Sequence, residues 1–108
     1  MKFNSIINGW DIGGVNIKAM QINSSSGPVS ILRSINTPFE IWHNPDELAA
    51  RLNDAGNYLD IKDDQPHGVT ITAELSDAFR TKREGIHFIL DAFKKAFFNS
   101  PVFIFNLY

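Results

Sequence analysis

The 108-residue sequence contains no cysteine. Disulfide bonds, thiol nucleophiles and cysteine-ligated zinc are therefore excluded, and the composition agrees with a reducing compartment. The sequence also has no apolar stretch that approaches the roughly 20 residues of a membrane-spanning helix. No long apolar core follows Met1-Lys2-Phe3, so a secretory signal is not predicted. Together these absences predict a cytoplasmic protein that does not associate with a membrane.

Positive charge is also scarce, because 10 Lys and Arg against 12 Asp and Glu give a formal net charge of −2. No basic cluster stands out, and we expect no binding of nucleic acid. The histidines, His43, His67 and His87, lack metal-ligand spacing and are predicted to be surface or loop residues. With 44% hydrophobic residues, the chain is predicted to form a single compact domain over residues 1–108.

The most informative stretch is Trp10-Asp11-Ile12-Gly13-Gly14-Val15-Asn16-Ile17-Lys18, which lies between two apolar segments. It is predicted to form a strand, a tight turn at Gly13-Gly14 and a second strand. Asp11 would then stand at the mouth of a glycine turn, where the lack of Cβ atoms permits positive φ and close approach of an anion. Lys18 could add a positive charge. Spacing alone, however, favours an ordinary β-hairpin.

Turn signals and hydrophobic periodicity predict the next two elements. A third strand is expected around Val29-Ser30-Ile31, and Asn36-Thr37-Pro38 ends it. A first helix should then start at Asn44-Pro45, with Asn44 as its cap and Glu47 bonding back. The helix carries an apolar stripe of Leu48, Leu52, Ala55 and Leu59.

The second half of the chain predicts a crossover unit. A fourth strand is expected at Val69-Thr70-Ile71-Thr72, and a second helix follows Thr81, whose spacing to Glu84 is that of a capping box. Residues 102–108 are apolar at successive positions, which predicts a central or doubly covered strand. The order is βββαβαβ. Because crossovers are right-handed, the later strands should run parallel to the first in a mixed α/β sheet with helices packed on it.

The segment from Asp11 to Lys18 resembles the first phosphate loop, D-x-G-G-x-x-x-K, of the actin, sugar-kinase and heat-shock-chaperone ATPase superfamily. Two later segments resemble its hydantoinase/oxoprolinase-like branch, which is linked to one-carbon metabolism and methanofuran synthesis. They are Pro38-Phe39-Glu40-Ile41-Trp42 with Asn44-Pro45-Asp46-Glu47-Leu48, and Val69-Thr70-Ile71-Thr72-Ala73-Glu74-Leu75 with Phe79 and Glu84-Gly85. The resemblance implies a ribonuclease-H-like sheet of strand order 3-2-1-4-5. It also implies that the chain is the N-terminal phosphate-loop subdomain of a larger two-domain protein.

The resemblance assigns roles to the loop residues. Gly13, Gly14 and Val15 would hold a phosphate through their backbone amides, and Lys18 would steady it. Asp11 would act catalytically and bind Mg²⁺, directly or through water. A strand lysine more often only points into solvent. Val15 departs from the superfamily pattern, which often has a hydroxyl residue there, and this departure disfavours efficient kinase-like chemistry.

Glu74 is the second catalytic candidate, because the resembled branch carries a similar Thr-x-Glu-Leu after its fourth strand. Thr72 and Asp77 would support the same site. In the predicted sheet the Asp11 turn and the residues after Thr72 fall at one end, so Asp11 and Glu74 should face a common cleft. The competing interpretation is that Glu74 only begins a helix and Asp77 only caps a turn.

The resemblance implies an enzyme of methanofuran or one-carbon cofactor biosynthesis that joins two precursors. A phosphorylated or diphosphorylated furan would be the anionic substrate, and Mg²⁺ with ATP or a diphosphate would be the ligands. Two alternatives stay open: ATP-dependent hydantoinase-like or kinase-like phosphoryl transfer, and a non-catalytic structural or interaction domain. The 108 residues are expected to be inactive alone and to self-associate through segment 102–108.

Overall fold

A computed structural model describes residues 6–24, 28–72 and 79–106 of the chain. In order, the elements are β1 (Ile6–Ile12), β2 (Asn16–Asn23), β3 (Ser30–Pro38), a 3₁₀ turn (Pro45–Glu47), α1 (Leu48–Leu59), β4 (His67–Ile71), α2 (Lys82–Ala96) and β5 (Val102–Asn106). The strands form one sheet in the order β3-β2-β1-β4-β5. The first three strands pair antiparallel, whereas β4 runs parallel to β1 and β5 parallel to β4. The predicted mixed sheet and its strand order are confirmed.

Both helices pack on one face of the sheet. They contact each other, and α1 also contacts β2 and β3 while α2 contacts β5. The core combines alternate residues of the central strands with one stripe from each helix. Its main members are Trp10, Ile12, Ile17, Ala19, Val69, Ile71, Leu48, Leu52, Ala55, Leu59, Ile89, Ala92 and Phe93. Each fully buried Leu, Ile or Phe stabilises the fold by about 1.5–3 kcal/mol relative to an exposed position. No helix among the described residues is long and apolar enough to cross a membrane.

The two helices begin differently. The Thr81 hydroxyl accepts a hydrogen bond from the Glu84 amide at 3.1 Å, as its spacing predicts. The predicted capping of α1 is wrong, because the side chain of Asn44 makes no capping hydrogen bond. The backbone of Asn44 (φ −135°, ψ 58°) lies outside the β region that a cap usually adopts, and a 3₁₀ turn intervenes. Glu47 accepts a hydrogen bond from Arg51 at 3.3 Å.

Gly56 shows why a residue of low helix propensity lies inside α1. A Cβ atom at this position would approach Cε1 of Phe97 to 2.6 Å. The Phe97 ring in turn stacks on His67 with ring centroids 4.4 Å apart. The glycine therefore lowers local helix propensity but permits the close approach of an aromatic ring.

The position of β5 corrects a prediction. Its apolar sequence predicts a central or doubly covered strand, but β5 lies at the sheet edge and pairs with β4. Val102 and Ile104 are half-buried and pack against the core, while Phe103 and Phe105 are 57% and 58% exposed. Hydrophobicity cannot distinguish a residue that the described chain covers from one that it leaves open.

Candidate active site

The candidate site is built around the carboxylate of Asp11, near the C-terminal end of β1. Asp11 Oδ1 accepts hydrogen bonds from the hydroxyl of Thr72 at 3.0 Å and from that of Thr70 at 3.4 Å. The Thr70 hydroxyl also lies 3.2 Å from the carbonyl oxygen of Trp10. Parallel pairing of β1 with β4 sets this arrangement, since Asp11 and Thr70 are partners in register. The Thr72 hydroxyl therefore orients this carboxylate oxygen, while the single proton of the Thr70 hydroxyl is shared between Asp11 and the Trp10 carbonyl.

The turn that follows Asp11 is closed by backbone hydrogen bonds. The Gly13 amide donates to the Asn16 carbonyl at 2.9 Å, and the Thr72 amide donates to the Ile12 carbonyl at 3.1 Å. Neither Gly13 nor Gly14 has φ in the left-handed region, so the expected positive φ is wrong. A Cβ on Gly14 would meet no atom within 4 Å. The backbone does not require glycine at position 14, and its missing side chain leaves open space above the turn.

Val15 and Lys18 flank this turn. The Val15 carbonyl accepts a hydrogen bond from the Phe39 amide at 2.9 Å, which attaches the turn to the segment after β3. Lys18 is exposed and lies opposite Asp11 in the register of β1 and β2. Cross-strand partners have Cβ atoms about 4.5–5.5 Å apart, so the Lys18 and Asp11 side chains start from the same face of the sheet.

The structure brings together only part of the predicted set. Thr72 contacts Asp11, whereas Glu74 and Asp77 lie outside the described residues. The premise of their shared cleft, that β1 and β4 are parallel neighbours, is correct. Sequence reasoning missed Thr70, although its position two residues before Thr72 on a strand places both side chains on one face.

His67 overturns the prediction of a surface histidine. It begins β4 on the helix-covered face and is fully buried, and its Nδ1 accepts a hydrogen bond from Trp10 Nε1 at 3.0 Å. Within the described part of the chain, Nε2 of this ring has no hydrogen-bond partner. Burial lowers the pKa of His67 to about 4, so the imidazole is neutral near pH 7. His43 and His87 are exposed, as predicted.

No model of a known protein family matches the chain. A similar protein is (4-{4-[2-(gamma-L-glutamylamino)ethyl]phenoxymethyl}furan-2-yl)methanamine synthase of Methanocaldococcus jannaschii, which is 33% identical over 102 residues. The match covers 94% of this chain but only 28% of that synthase. The chain therefore corresponds to less than a third of this relative's length.

Several solved structures share this fold, and their alignments cover nearly the whole chain. A protein with an actin-like ATPase fold from Bacteroides thetaiotaomicron gives a TM-score of 0.60 at 15% identity, covering 94% of this chain and 33% of that one. Thermus thermophilus RuvC, in complex with a Holliday junction substrate, gives 0.60 at 13% identity, covering 94% and 64%. The fold is ribonuclease-H-like. At these identities the likeness establishes the fold alone.

In this ribonuclease-H-like sheet, Asp11 offers one oriented carboxylate beside an open turn and an exposed ammonium. The described residues contain no group of three His, Asp or Glu side chains that could hold a metal by themselves. Mg²⁺ is usually bound through one or two carboxylates together with waters and substrate phosphates. An oriented carboxylate such as that of Asp11 could supply one ligand to such an ion.

Proposed function

We propose that the chain is the phosphate-binding part of a transferase that joins two precursors of a furan-containing cofactor of the methanofuran type. The loop over Asp11, Gly13, Gly14 and Lys18 would bind the phosphate or diphosphate of one precursor. The oriented carboxylate of Asp11 beside the open turn at Gly14 is the single observation that carries this proposal. The similarity to the Methanocaldococcus jannaschii synthase supports the substrate class.

The product in that synthase's name contains an ether that joins a phenol oxygen to the CH₂ group of a furan. Cutting the ether gives a phenol with a γ-glutamylaminoethyl chain and a furan with a CH₂ carbon. If that CH₂ carries a phosphate or diphosphate, the phenol oxygen forms the new O–CH₂ bond. The bond from CH₂ to the phosphate oxygen breaks and its electron pair leaves with the phosphate. The phenol proton passes to a carboxylate or to water.

Within this reaction the described residues bind and orient the leaving group. The amides of Gly14 and Val15 and the ammonium of Lys18 would hold its oxygens, because charge develops there as the bond breaks. The Gly13 amide already donates to the Asn16 carbonyl and would only shape the turn. Asp11 would hold Mg²⁺, kept in orientation by Thr70 and Thr72. When bound, Mg²⁺ neutralises negative charge on the phosphate oxygens.

The same loop chemistry would also suit phosphoryl transfer from ATP, as in the hydantoinase-like or kinase-like alternative. Val15 weighs against this alternative because it supplies no side-chain hydroxyl to a phosphate. A non-catalytic domain would keep the hairpin for folding alone. However, Gly14 has open space around it and no left-handed φ, so the described fold gives no reason of its own for glycine at that position.

Calorimetric titration of the chain with Mg²⁺ and inorganic diphosphate tests the proposal, and ATP provides a second arm. Asp11→Asn should weaken the Mg²⁺-dependent affinity about tenfold or more, because the carboxamide keeps the shape but loses the charge. Asp91→Asn, at an exposed position of α2, is the matched control and should bind normally. No heat with either ligand would favour the non-catalytic domain, and tighter binding of ATP would favour the phosphoryl-transfer alternative.

Gly14→Val tests the open space above the turn. A Cβ atom at this position meets no atom within 4 Å and requires no left-handed φ, so the unfolding midpoint should stay within a few degrees of that of the parent chain. The branched side chain would occupy the anion position, so diphosphate binding should be lost. A valine variant that binds diphosphate normally would show that the turn has only a structural role.

Turnover is expected to require more than these 108 residues, since phosphoryl chemistry depends on charges focused in a water-poor site. We therefore expect no measurable reaction by the purified chain when both precursors are supplied. Turnover that disappears in Asp11→Asn would contradict this expectation.

A further inference from the structure

A cavity of about 380 Å³ lies beside the candidate phosphate loop and shares only Val15 with it. Val15 forms one wall, and its carbonyl is hydrogen-bonded to the buried Phe39 at 2.9 Å. The other walls come from the segment between β3 and α1 and from the first turns of that helix. They contribute the polar side chains of Glu40, Asn44, Glu47 and Arg51.

The Asn44 side chain in this cavity does not cap the helix. A capping box at the start of α1 would engage Asn44 and Glu47 with backbone amides. Instead, Asn44 makes no capping bond, and Glu47 accepts from Arg51 Nη2 at 3.3 Å with both side chains about half exposed. An ion pair at this exposure contributes little to stability, so these groups are available to a ligand.

The signs of the charges define the chemistry that the cavity can accept. Glu40 and Glu47 are carboxylates, Arg51 is a guanidinium and Asn44 offers both a donor and an acceptor. A purely anionic ligand would meet two carboxylates, and a purely cationic one would meet Arg51. A group with an ammonium and a carboxylate on one carbon satisfies both signs. Arg51 would bind the ligand's carboxylate through its fork of N–H donors, and the glutamates would accept from its ammonium.

We propose that this cavity binds the α-amino-acid head of the γ-glutamyl phenol, which is the second precursor in the proposed function on which this inference rests. A γ-linked glutamyl group keeps its α-ammonium and α-carboxylate free. Val15 belongs to both the cavity and the phosphate loop, so the two sites are adjacent and one ligand could reach from the first to the second. The cavity thereby selects glutamylated over unmodified phenol.

The test measures binding by the chain of the γ-glutamyl amide of 4-(2-aminoethyl)phenol, followed by amide chemical shifts in a ¹⁵N-labelled sample. Arg51→Gln should weaken this binding about tenfold, the loss expected for a charge-assisted hydrogen bond, and Arg51→Lys should recover part of it. Arg83→Gln, at an exposed position of α2, is the matched control. Far-UV circular dichroism verifies that each variant is folded.

Two further measurements complete the test: the selectivity of the cavity between two phenols, and the diphosphate affinity of the Arg51 variant. The phenol without its glutamyl group should bind at least about tenfold more weakly, and shifts should centre on residues near Val15 and Arg51. Equal affinity for both phenols, or unchanged binding by Arg51→Gln, would overturn the inference. If the parent chain binds the γ-glutamyl phenol but not diphosphate, that result would contradict the proposed function instead. The two failures are distinguishable because Arg51→Gln should leave diphosphate affinity unchanged.

Discussion

The two faces of the sheet are built from the same strands but have different surroundings. On the covered face, Trp10 and Phe93 pack edge to face with centroids 5.3 Å apart, and both are buried. On the open face, Phe103 and Phe105 are exposed on β5, and Asp11 stands at the end of β1. Side chains alternate between the faces along every strand. The covered face therefore determines stability, and the open face carries the candidate catalytic carboxylate.

Polar groups are also treated differently on the two faces. On the covered face, Asn8 accepts a hydrogen bond from Gln21 at 3.0 Å and donates one to Gln65 at 3.4 Å, all three being buried. These bonds compensate for desolvation. On the open face, Thr70 and Thr72 donate to Asp11, which a ligand could still reach. These three buried amide side chains are paired with one another, whereas the polar groups of the open face are arranged around a charge.

The largest expected difference in the free energy of unfolding is between alanine substitutions of a phenylalanine on each of the two faces. Phe93→Ala should lower the free energy of unfolding by about 3–5 kcal/mol, because it leaves a cavity in the core. Phe105→Ala should change it by no more than about 0.5 kcal/mol, because the ring is 58% exposed. Urea unfolding with a shared m-value measures both. Equal losses at a concentration where the chain is monomeric would mean that the Phe105 ring is packed within a single copy.

The pH dependence of stability should come from His67 on the covered face. Its pKa is about 4 in the folded state against 6.5 for the free side chain, so the unfolded chain binds the proton more tightly. Stability is then fully present above pH 6.5 and is lost as the pH falls toward 4, by up to about 3 kcal/mol. Urea unfolding at several pH values measures this loss. His67→Gln should flatten the dependence in that window. An unchanged slope in His67→Gln would contradict the assignment.

Gly56→Ala should lower the free energy of unfolding, although the same substitution usually stabilises a helix. Alanine favours a helix over glycine by about 1 kcal/mol. Here its Cβ would collide with Phe97, so the net result should be a loss of about 1–3 kcal/mol. Asn53→Ala, at an exposed position of the same helix, should stay within about 0.5 kcal/mol. Thermal unfolding that showed Gly56→Ala to be stabilising would mean that Phe97 moves away without cost.

The smallest effect on the free energy of unfolding is expected for a substitution on the open face that should instead change self-association. Gly9 and Gly68 are partners in register and form a trough on the open face, flanked by Met20 and Phe103. A Cβ on either glycine would meet its nearest atom at 3.8 Å, so the sheet itself has room for a side chain. Exposed aromatic rings and a trough lie on one face. We therefore predict that two copies pair about a two-fold axis, with the exposed rings of each copy packing into the trough of the other.

Gly68→Val tests this pairing. A Cβ at this position lies 3.8 Å from the Phe105 ring, an ordinary contact, and valine favours a strand over glycine. The free energy of unfolding of the monomer should therefore be unchanged or slightly higher. Sedimentation velocity should show less dimer than in the parent chain at the same concentration. A parent chain that stays monomeric at high concentration would refute the pairing, and so would a valine variant that still dimerises.

Prediction from sequence succeeded where the cause is local or periodic. The Thr81 cap depends on three residues of spacing, and the order β3-β2-β1-β4-β5 follows from crossover rules together with the resemblance. Prediction failed where a distant element decides. The 3₁₀ turn displaced the cap at Asn44, and the edge position of β5 left Phe103 exposed. Glu74 stays a prediction, since it lies outside the described residues.

The sequence by itself determined the hairpin over Asp11, the two helical stripes and the alternation of the strands. These features depend on residue periodicity and on turn chemistry, which neighbouring residues specify. Only the tertiary structure decided that Thr70 and Thr72 orient Asp11 and that His67 is buried against Phe97. Those contacts join residues that lie far apart in the chain. Parallel pairing and helix packing bring them together, and no local pattern specifies which side chains then meet.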